Sequence, residues 1–235
     1  MSHIISIHSF RGGTGKSNTT ANIAAVLASQ GKRVGVIDTD IQSPGIHILF
    51  GMAGSSIDYS LNDYLWGRCE IDQAAHDVTS IFEGDDPGKL YLIPSSVRAD
   101  EIVNVLREGY DVSLLTEGFR KLIRELSLDV LMIDTHPGLN EETLFSIAIS
   151  HSLAIIMRPD QQDYEGTGVT VEVARSLDVP NLVLIVNKTP QAFDTAEVRA
   201  RVEQTFNCEV GAVLPHSEEM MNLASSGIFA LHYPD

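Results

Sequence analysis

A short segment near the N-terminus combines glycines with a lysine and a serine, directly after an isoleucine-rich run. Glycines allow backbone N–H groups to converge on phosphate oxygens, and the N-terminus of a following helix adds a positive dipole. Lys16 could then reach the β- and γ-phosphates of a nucleotide, while the Ser17 hydroxyl could ligate Mg²⁺. The segment therefore predicts a phosphate-binding loop. Its predicted binding residues are Gly12, Gly13, Thr14, Gly15, Lys16, Ser17 and Asn18.

The loop departs from the strict pattern G-x-x-x-x-G-K-[ST] at one position, because Phe10 stands where the first glycine would be. The remaining context is present, since Gly15, Lys16 and Ser17 follow a predicted strand and open a predicted helix. A chance glycine turn has little reason to place a lysine and a serine at that point. We therefore interpret the segment as a P-loop.

Carboxylates follow two further strand-like runs. Asp38 and Asp40 come directly after one run, and Asp134 ends another that is continuously apolar. Acids at the carboxyl ends of strands beside a phosphate loop suit the water shell of Mg²⁺ or an attacking water. Asp38 and Asp40 taken alone would equally fit solvated loop acids. Asp134 matches the Walker B pattern, which predicts that it holds Mg²⁺, usually through water, with the Gly138 N–H near the γ-phosphate.

Strands that alternate with helices must position these residues. Helical periodicity is clear at residues 16–30 and 115–126, and near-continuous apolar runs predict the strands. This pattern is typical of a parallel sheet whose ligand lies beyond the carboxyl ends of the strands. We therefore predict an α/β fold of the P-loop NTPase class: a mostly parallel twisted sheet flanked by helices on both faces. Residues 51–88, rich in Gly, Ser and Asp, are predicted to be irregular and mobile. The predicted strands are residues 4–8, 33–38, 90–93, 128–133, 153–157, 182–186 and 210–214.

Size and charge limit the function further. The chain has 235 residues, of which 43 % are apolar, so we predict a single domain, residues 1–235, built around the P-loop. Sixteen Lys and Arg against 32 Asp and Glu give a net charge of −16. Such a chain repels phosphate backbones unless basic residues gather on one face, so we expect direct DNA binding to be weak. The basic clusters near Lys121 and Arg199 are small and fit solvated helix faces.

The cysteines and apolar runs bear on the compartment. Cys69 and Cys208 are far apart and form no C-x-x-C motif, which fits reduced cytosolic thiols better than a disulfide or a metal site. The eight histidines show no metal-ligand spacing. No apolar run approaches the ~20 residues that span a bilayer. We expect a cytoplasmic protein.

Taken together, these motifs resemble the MinD/ParA family of deviant-Walker ATPases over nearly the whole chain. The resemblance rests on the loop at residues 11–17, the acids Asp38 and Asp40, and the sequence at residues 134–138. It extends to residues 60–65, residues 92–94 and the pair at 187–188. It implies a single P-loop ATPase domain that binds and hydrolyses ATP with Mg²⁺. It also implies ATP-sandwich dimers that bind a surface or a partner and release it after hydrolysis.

The same resemblance assigns roles to individual residues. Asp40 would orient the attacking water, and Lys16 would act on the transferred phosphate. Mg²⁺ would be held by Ser17, Asp38 and Asp134. The matching asparagine of the family contacts adenine, and a backbone loop borders the base. The residues expected around the nucleotide on this side are Asn187, Lys188, Pro215 and His216.

Two features depart from the family. Arg11 stands where the family has a lysine that contacts ATP across the dimer. Its charged planar fork could act like an arginine finger, so we count Arg11 among the predicted catalytic residues, with a structural ion pair as the alternative. MinD-like relatives end in a basic amphipathic helix that docks on membranes. This sequence shows no such helix, so we expect no membrane anchor in this chain.

Three functions stay open on the sequence. The first is an ATPase switch that positions cargo, DNA or division machinery through an ATP-dependent homodimer and a partner protein that stimulates hydrolysis. The second is a regulatory module that binds ATP with little turnover, which the substitution at Arg11 makes a serious alternative. The third is an ATPase for metal-centre maturation. That branch usually carries paired cysteines, and Cys69 and Cys208 provide no pair.

Overall fold

The computed structural model describes residues 2–82 and 87–234, in which strands and helices alternate. The strands are β1 His3–His8, β2 Arg33–Asp38, β3 His76–Asp77, β4 Lys89–Ile93, β5 Val130–Asp134, β6 Ser152–Met157, β7 Asn181–Thr189 and β8 Glu209–Pro215. The helices are α1 Lys16–Ser29, α2 Ile46–Leu49, α3 Leu61–Leu65, α4 Ala99–Glu108, α5 Ser113–Glu125, α6 Glu141–Ala148, α7 Gln161–Ser176, α8 Thr195–Phe206, α9 Glu218–Leu223 and α10 Phe229–His232. Single 3₁₀ turns lie at Gly54–Ser56 and Thr79–Ile81.

The eight strands form one sheet in the order β3-β4-β2-β5-β1-β6-β7-β8. All neighbours are parallel except β3 and β4, which are antiparallel. The central strand β1 pairs with β5 on one side and with β6 on the other. The next strand in the chain, β2, lies on the β5 side, whereas the later strands β6, β7 and β8 extend the sheet on the opposite side. This is the switch point at which parallel sheets open a ligand crevice beyond their carboxyl ends. The predicted mostly parallel α/β fold is confirmed.

The central strands are buried on both faces because their side chains alternate between two helical layers. In β5, Val130 and Met132 pack in the cluster that contains α1, while Leu131 and Ile133 pack in the cluster that contains α5. A third cluster joins β6, β7 and β8 to α7 and α8. The most continuous apolar runs in the sequence, such as residues 130–133, therefore correspond to central strands that have no solvent face.

Most predicted strand bounds agree with the structure to within one residue, but β7 extends past residue 186 to Thr189, and two differences at β5 and β3 are larger in kind. β5 begins at Val130 and not at residue 128, because Ser127 has a positive φ of 50° and the Leu128 N–H still donates to the Ile123 carbonyl of α5. The chain thus completes the end of the helix before it enters the sheet. The sequence pattern also does not predict β3, since two edge residues are too few to show a strand periodicity.

The prediction that residues 51–88 are irregular is partly wrong. Within the described part, α3 begins with a capping box, in which the side chains of Ser60 and Asp63 each accept a hydrogen bond from the backbone N–H of the other residue. Leu61, Leu65 and Ile71 are buried in the same cluster as α5. Burial of these apolar side chains outweighs the loop-like composition around them. Residues 83–86, which belong to the same prediction, lie outside the described residues.

Candidate active site

The loop between β1 and α1 has the geometry of a phosphate cradle. Gly13 and Gly15 have positive φ values of 77° and 99°, which residues with a side chain rarely adopt. A Cβ on Gly15 would also overlap the amide of Asn187. Gly15 is the N-cap of α1 and offers no side chain to that helix end. The first N–H groups of α1 and the helix dipole are therefore available to an anion.

Lys16 forms a buried ion pair at the end of this loop. Its Nζ lies 2.8 Å from Asp134 Oδ1, and the two side chains are 7 % and 1 % exposed. The Thr20 hydroxyl donates to the same carboxylate oxygen at 3.0 Å. Thr20 lies one turn beyond Lys16 and is a site residue that the loop motif does not cover. The fold therefore brings the predicted lysine of α1 against the predicted acid of β5.

A second buried carboxylate lies beside Asp134. β2 and β5 pair with Asp38 opposite Asp134, and Asp38 is buried. Burial, followed by the charge of Asp134, raises the pKa of Asp38 to about 8. Lys16 and the backbone N–H of Asp40 act in the opposite direction. Two buried carboxylates that share one lysine are short of positive charge, and with the Ser17 hydroxyl they are the hard oxygen donors that Mg²⁺ prefers. The residues present therefore fit the predicted metal.

Asp40, the predicted catalytic acid, lies in the loop after β2 and contacts a histidine. Its Oδ1 is 2.6 Å from His136 Nδ1, and it also accepts the Ser43 N–H at 3.1 Å. The Asp40 side chain is 12 % exposed and the His136 side chain 21 %, so solvent reaches both. The sequence shows His136 only as part of the turn after β5. Its contact with Asp40 follows from the pairing of β2 with β5.

A cavity of about 600 Å³ with a largely apolar lining opens beside the loop. This volume lies within the range of small-molecule sites, which is roughly 300–1,000 Å³. Four predicted nucleotide-binding residues line it, namely Asn18, Asn187, Pro215 and His216. Sequence reasoning missed other lining residues because α1, the β7–α8 loop and α10 meet only in the folded chain. They include Thr19, Asn22, Gln191 and Phe229.

Asn187 and Lys188 bind the phosphate loop itself. Asn187 Nδ2 donates to the Thr14 carbonyl at 2.8 Å, and Lys188 Nζ donates to the Gly13 carbonyl at 2.7 Å. Lys188 has a φ of 55°, which is uncommon for a residue with a side chain, and its N–H donates to Asn187 Oδ1 at 2.8 Å. The end of β7 therefore holds the shape of the loop, while Asn187 also lines the cavity.

Gly138 lies beside the loop, but its N–H is already engaged by the protein. It donates to the Ser9 carbonyl at 3.0 Å, and Gly138 has a φ of 85°. In this conformation the N–H is not directed at a phosphate position. The neighbouring Phe10, which replaces the first glycine of the motif, lies over Gly166 of α7, where any Cβ would overlap its ring. The start of the loop is thereby packed against α7.

Arg11 is paired within its own chain. Its Nη1 lies 3.2 Å from Asp163 Oδ1 and 3.6 Å from Asp160 Oδ1, and Arg158 contacts the same two acids. Asp163 is buried, whereas the Arg11 side chain is 37 % exposed. The structural ion pair that the sequence left as an alternative is therefore present. A contact across a dimer would require Arg11 to leave these acids.

Outside the crevice, the small basic clusters are balanced by acids. Lys121 contacts Glu70 and Asp72, and Arg199 contacts Glu203. No three His, Cys, Asp or Glu side chains are grouped as a metal site among residues 2–82 and 87–234. In the same part of the chain, no helix combines the length and the apolar character that crossing a membrane requires.

Comparison with known proteins places this site in a family. A family model described as an AAA domain matches residues 2–179. An uncharacterized ATP-binding protein of Methanocaldococcus jannaschii is 28 % identical, covering 100 % of this chain and 83 % of the relative. The cytosolic Fe-S cluster assembly factor cfd1 of Emericella nidulans is 29 % identical, with 96 % and 72 % covered. The septum site-determining protein MinD of Bacillus subtilis is 25 % identical, with 97 % and 81 % covered.

A solved structure supports the fold. MinD of Pyrococcus horikoshii in complex with Mg-ADP aligns with a TM-score of 0.81 at 20 % identity, covering 100 % of this chain and 90 % of the other. At this identity the likeness supports the fold, whereas the family model and the sequence relatives support the family. With its phosphate loop after β1, its lysine on the acid of β5 and its mostly parallel sheet, this chain belongs to the MinD/ParA family of P-loop ATPases.

Proposed function

We propose that this chain is an ATP-dependent molecular switch. It binds ATP with Mg²⁺, dimerises in that state, positions cargo, DNA or division machinery through a partner protein, and is reset by hydrolysis. The observation that carries the proposal is that the phosphate loop, two buried carboxylates and a cavity of about 600 Å³ meet in one crevice. The MinD relatives support the same reading of that crevice.

Binding of ATP rests on the loop and the cavity. Lys16 lies at the end of the loop, from where its ammonium can turn from Asp134 to the terminal phosphates. Backbone N–H groups of the loop and of α1 would hold the phosphate oxygens. Asn187 and Lys188 keep the loop in this shape through its carbonyls. The base would enter the cavity beside Pro215. The largely apolar lining of the cavity would exclude water from the faces of the base.

Hydrolysis rests on the acids. Asp40 is the acid of the crevice that is reached by solvent, and its free oxygen can orient the water that attacks the γ-phosphate. Ser17, Asp38 and Asp134 would hold Mg²⁺, which neutralises charge on the phosphates when it is bound. Asp38 has to lose its proton to serve as a ligand. Its raised pKa therefore makes metal binding dependent on pH.

A second copy of the chain would complete the switch. Arg11 is partly exposed at the start of the loop, at the position where the family has a lysine that reaches the ATP of the other subunit. Its guanidinium can contact two phosphate oxygens at once, which an ammonium does less rigidly. Release of Arg11 from Asp160 and Asp163 would then link dimerisation to the bound nucleotide.

Hydrolysis and dimerisation assays test this proposal together. We expect the wild type to hydrolyse ATP with Mg²⁺, and Asp40→Ala to bind ATP as the wild type does but to turn it over roughly 100-fold more slowly. Asp40→Ala with ATP should scatter light as a dimer. Asp129→Ala is the matched control, since Asp129 is an exposed acid at the opposite end of β5. Wild-type turnover in Asp40→Ala would remove Asp40 from the mechanism and make Asp38 the candidate.

A regulatory module with little turnover is the second candidate, because Arg11 is held by acids of its own chain. ATP binding without hydrolysis, with and without partner proteins, would favour it. Metal-centre maturation is the third, since similar proteins include cytosolic Fe-S cluster assembly factors of three organisms. Burial raises the pKa of Cys69 to about 11 and raises that of Cys208, which disfavours thiolate ligands. The two thiols also pack against different core clusters within the chain.

A further inference from the structure

One oxygen of Asp40 is held from two sides. Oδ1 lies 2.6 Å from His136 Nδ1 and 3.1 Å from the Ser43 backbone nitrogen. Among the described residues, none donates to the second oxygen, Oδ2. Because the side chain is partly exposed and Oδ1 is already engaged, Oδ2 is the oxygen left to accept a hydrogen bond from a water in the crevice. The two donors therefore decide which oxygen of the carboxylate is left for the water.

The two donors differ in how firmly they are placed. Ser43 belongs to the same loop as Asp40, so its N–H moves when that loop moves. His136 belongs to the turn between β5 and α6, and its carbonyl accepts the hydroxyl of the buried Thr143 at 3.3 Å. Thr143 in turn is fixed at the start of α6, where its N–H donates to the N-cap Asn140 at 2.8 Å. The histidine thus ties the loop after β2 to the turn after Asp134, which is hydrogen-bonded to the start of α6.

We propose that His136 is a positioning residue for Asp40, which it holds through Nδ1–H so that Oδ2 faces the attacking water. A carboxylate can only accept a hydrogen bond, so the ring must carry its proton on Nδ1. The inference rests on the proposed function, since it concerns the hydrolytic acid of the same site. It makes turnover, and not ATP binding, depend on His136.

Two amide substitutions separate this role from simple packing. Asparagine places a donor where Nδ1 lies, whereas glutamine places it further out, near the position of Nε2. We therefore expect His136→Asn to keep most of kcat. His136→Gln and His136→Ala should lower kcat roughly 10- to 100-fold, the loss that a misplaced catalytic group produces. KM and the calorimetric Kd for ATP should change less than about 3-fold, because the hydrogen bonds of His136 to described residues go to Asp40 and Thr143 and not to the phosphate loop.

Two controls define the comparison. His76→Ala removes a histidine that also makes one hydrogen bond, to the Tyr59 carbonyl at 2.8 Å, on the edge strand far from the crevice. It should leave kcat unchanged. In the Asp40→Ala background, His136→Ala should cause no further loss, because a residue that acts through Asp40 has nothing left to position. Urea unfolding shows whether each variant is folded.

The outcomes are distinct. A wild type that hydrolyses ATP while His136→Ala keeps its kcat overturns this inference and leaves the proposed function standing. Equal kcat in His136→Asn and His136→Gln overturns it as well, and this pair decides the matter even if His136→Ala does not fold. A parallel loss of kcat and ATP affinity would show a structural role and also overturn it. A wild type without turnover under any condition refutes the proposed function, and this role with it.

Discussion

Replacing Lys16 by methionine should damage the folded state and ATP binding for two separable reasons. Methionine keeps the length and the apolar stem of lysine but removes its charge. Among the described residues, Asp134, which is 1 % exposed, would then keep the hydroxyl of Thr20 at 3.0 Å as its side-chain partner. It would lie opposite the buried carboxyl group of Asp38 with no cation beside it. An uncompensated buried charge is among the costliest changes in a protein interior.

The structure sets the size of the effect. Breaking a buried ion pair by removal of one partner costs about 3–5 kcal/mol, and the geometry here, 2.8 Å between two buried side chains, belongs to that class. Neutralising the remaining acid should relieve most of the cost. In Lys16→Met/Asp134→Asn, the amide still accepts the Thr20 hydroxyl and carries no charge. We expect the double variant to regain at least about 2 kcal/mol, a coupling energy typical of residues in direct contact.

Urea unfolding without nucleotide measures this coupling, and calorimetry with ATP and Mg²⁺ measures binding. The double variant should be folded and stable yet unable to bind ATP, since it lacks both the charge that meets the terminal phosphates and one of the proposed Mg²⁺ ligands. Stability and binding are thereby separated. The reasoning is refuted if Lys16→Met loses less than about 1 kcal/mol, the range of an exposed pair. It is equally refuted if the double variant binds ATP as tightly as the wild type.

Three further predictions concern Arg11, Asp38 and the net charge of the chain. Arg11→Ala should change the stability of the monomer by less than about 1 kcal/mol, because the pair is partly exposed and Asp163 keeps Arg158. In the Asp40→Ala background it should weaken ATP-dependent dimerisation, and unchanged light scattering would make Arg11 an ordinary structural arginine. Asp38 binds its proton more tightly in the folded chain, with a pKa of about 8, than in the unfolded chain, where about 3.9 is usual. The unfolded state therefore carries fewer protons between about pH 4 and 8, so stability falls as pH rises through that window. Asp38→Asn should remove this slope in urea unfolding at pH 5 to 8, becoming the more stable chain near pH 8, and an identical slope would contradict the assignment. Random duplex DNA should bind weakly at ~150 mM salt even with ATP, given the net charge of −16, and tight binding in a filter assay would overturn that expectation.

Local chemistry was enough to predict the fold class and the phosphate loop. Continuous apolar runs between helical segments allow few arrangements other than a parallel sheet covered on both faces. The loop could be predicted because glycine, lysine and serine at that spacing have a chemical reason to occur together before a helix. The sequence could also place three acids at one edge of the sheet, namely Asp38, Asp40 and Asp134, because parallel strands end on the same side.

The limits of sequence reasoning appear where a contact joins distant segments. The prediction for residues 51–88 is partly wrong because composition describes a local tendency, whereas Leu61 and Ile71 are ordered by burial in the same cluster as α5. Phe229 and Gln191 line the cavity beside the loop, yet nothing in their neighbourhood in the sequence marks them. β3 depends on an antiparallel contact of two residues, which carries no periodicity.

The sequence by itself determined which chemical groups this protein has at the carboxyl ends of its strands, because that information is carried by short motifs and by the order of apolar runs. Only the tertiary structure decided how those groups are paired. Lys16 meets Asp134, Arg11 is held by Asp163, and His136 reaches Asp40. Each of these pairs spans roughly a hundred residues of chain or more. Such distances are closed by the order of strands in the sheet, which sequence periodicity does not encode.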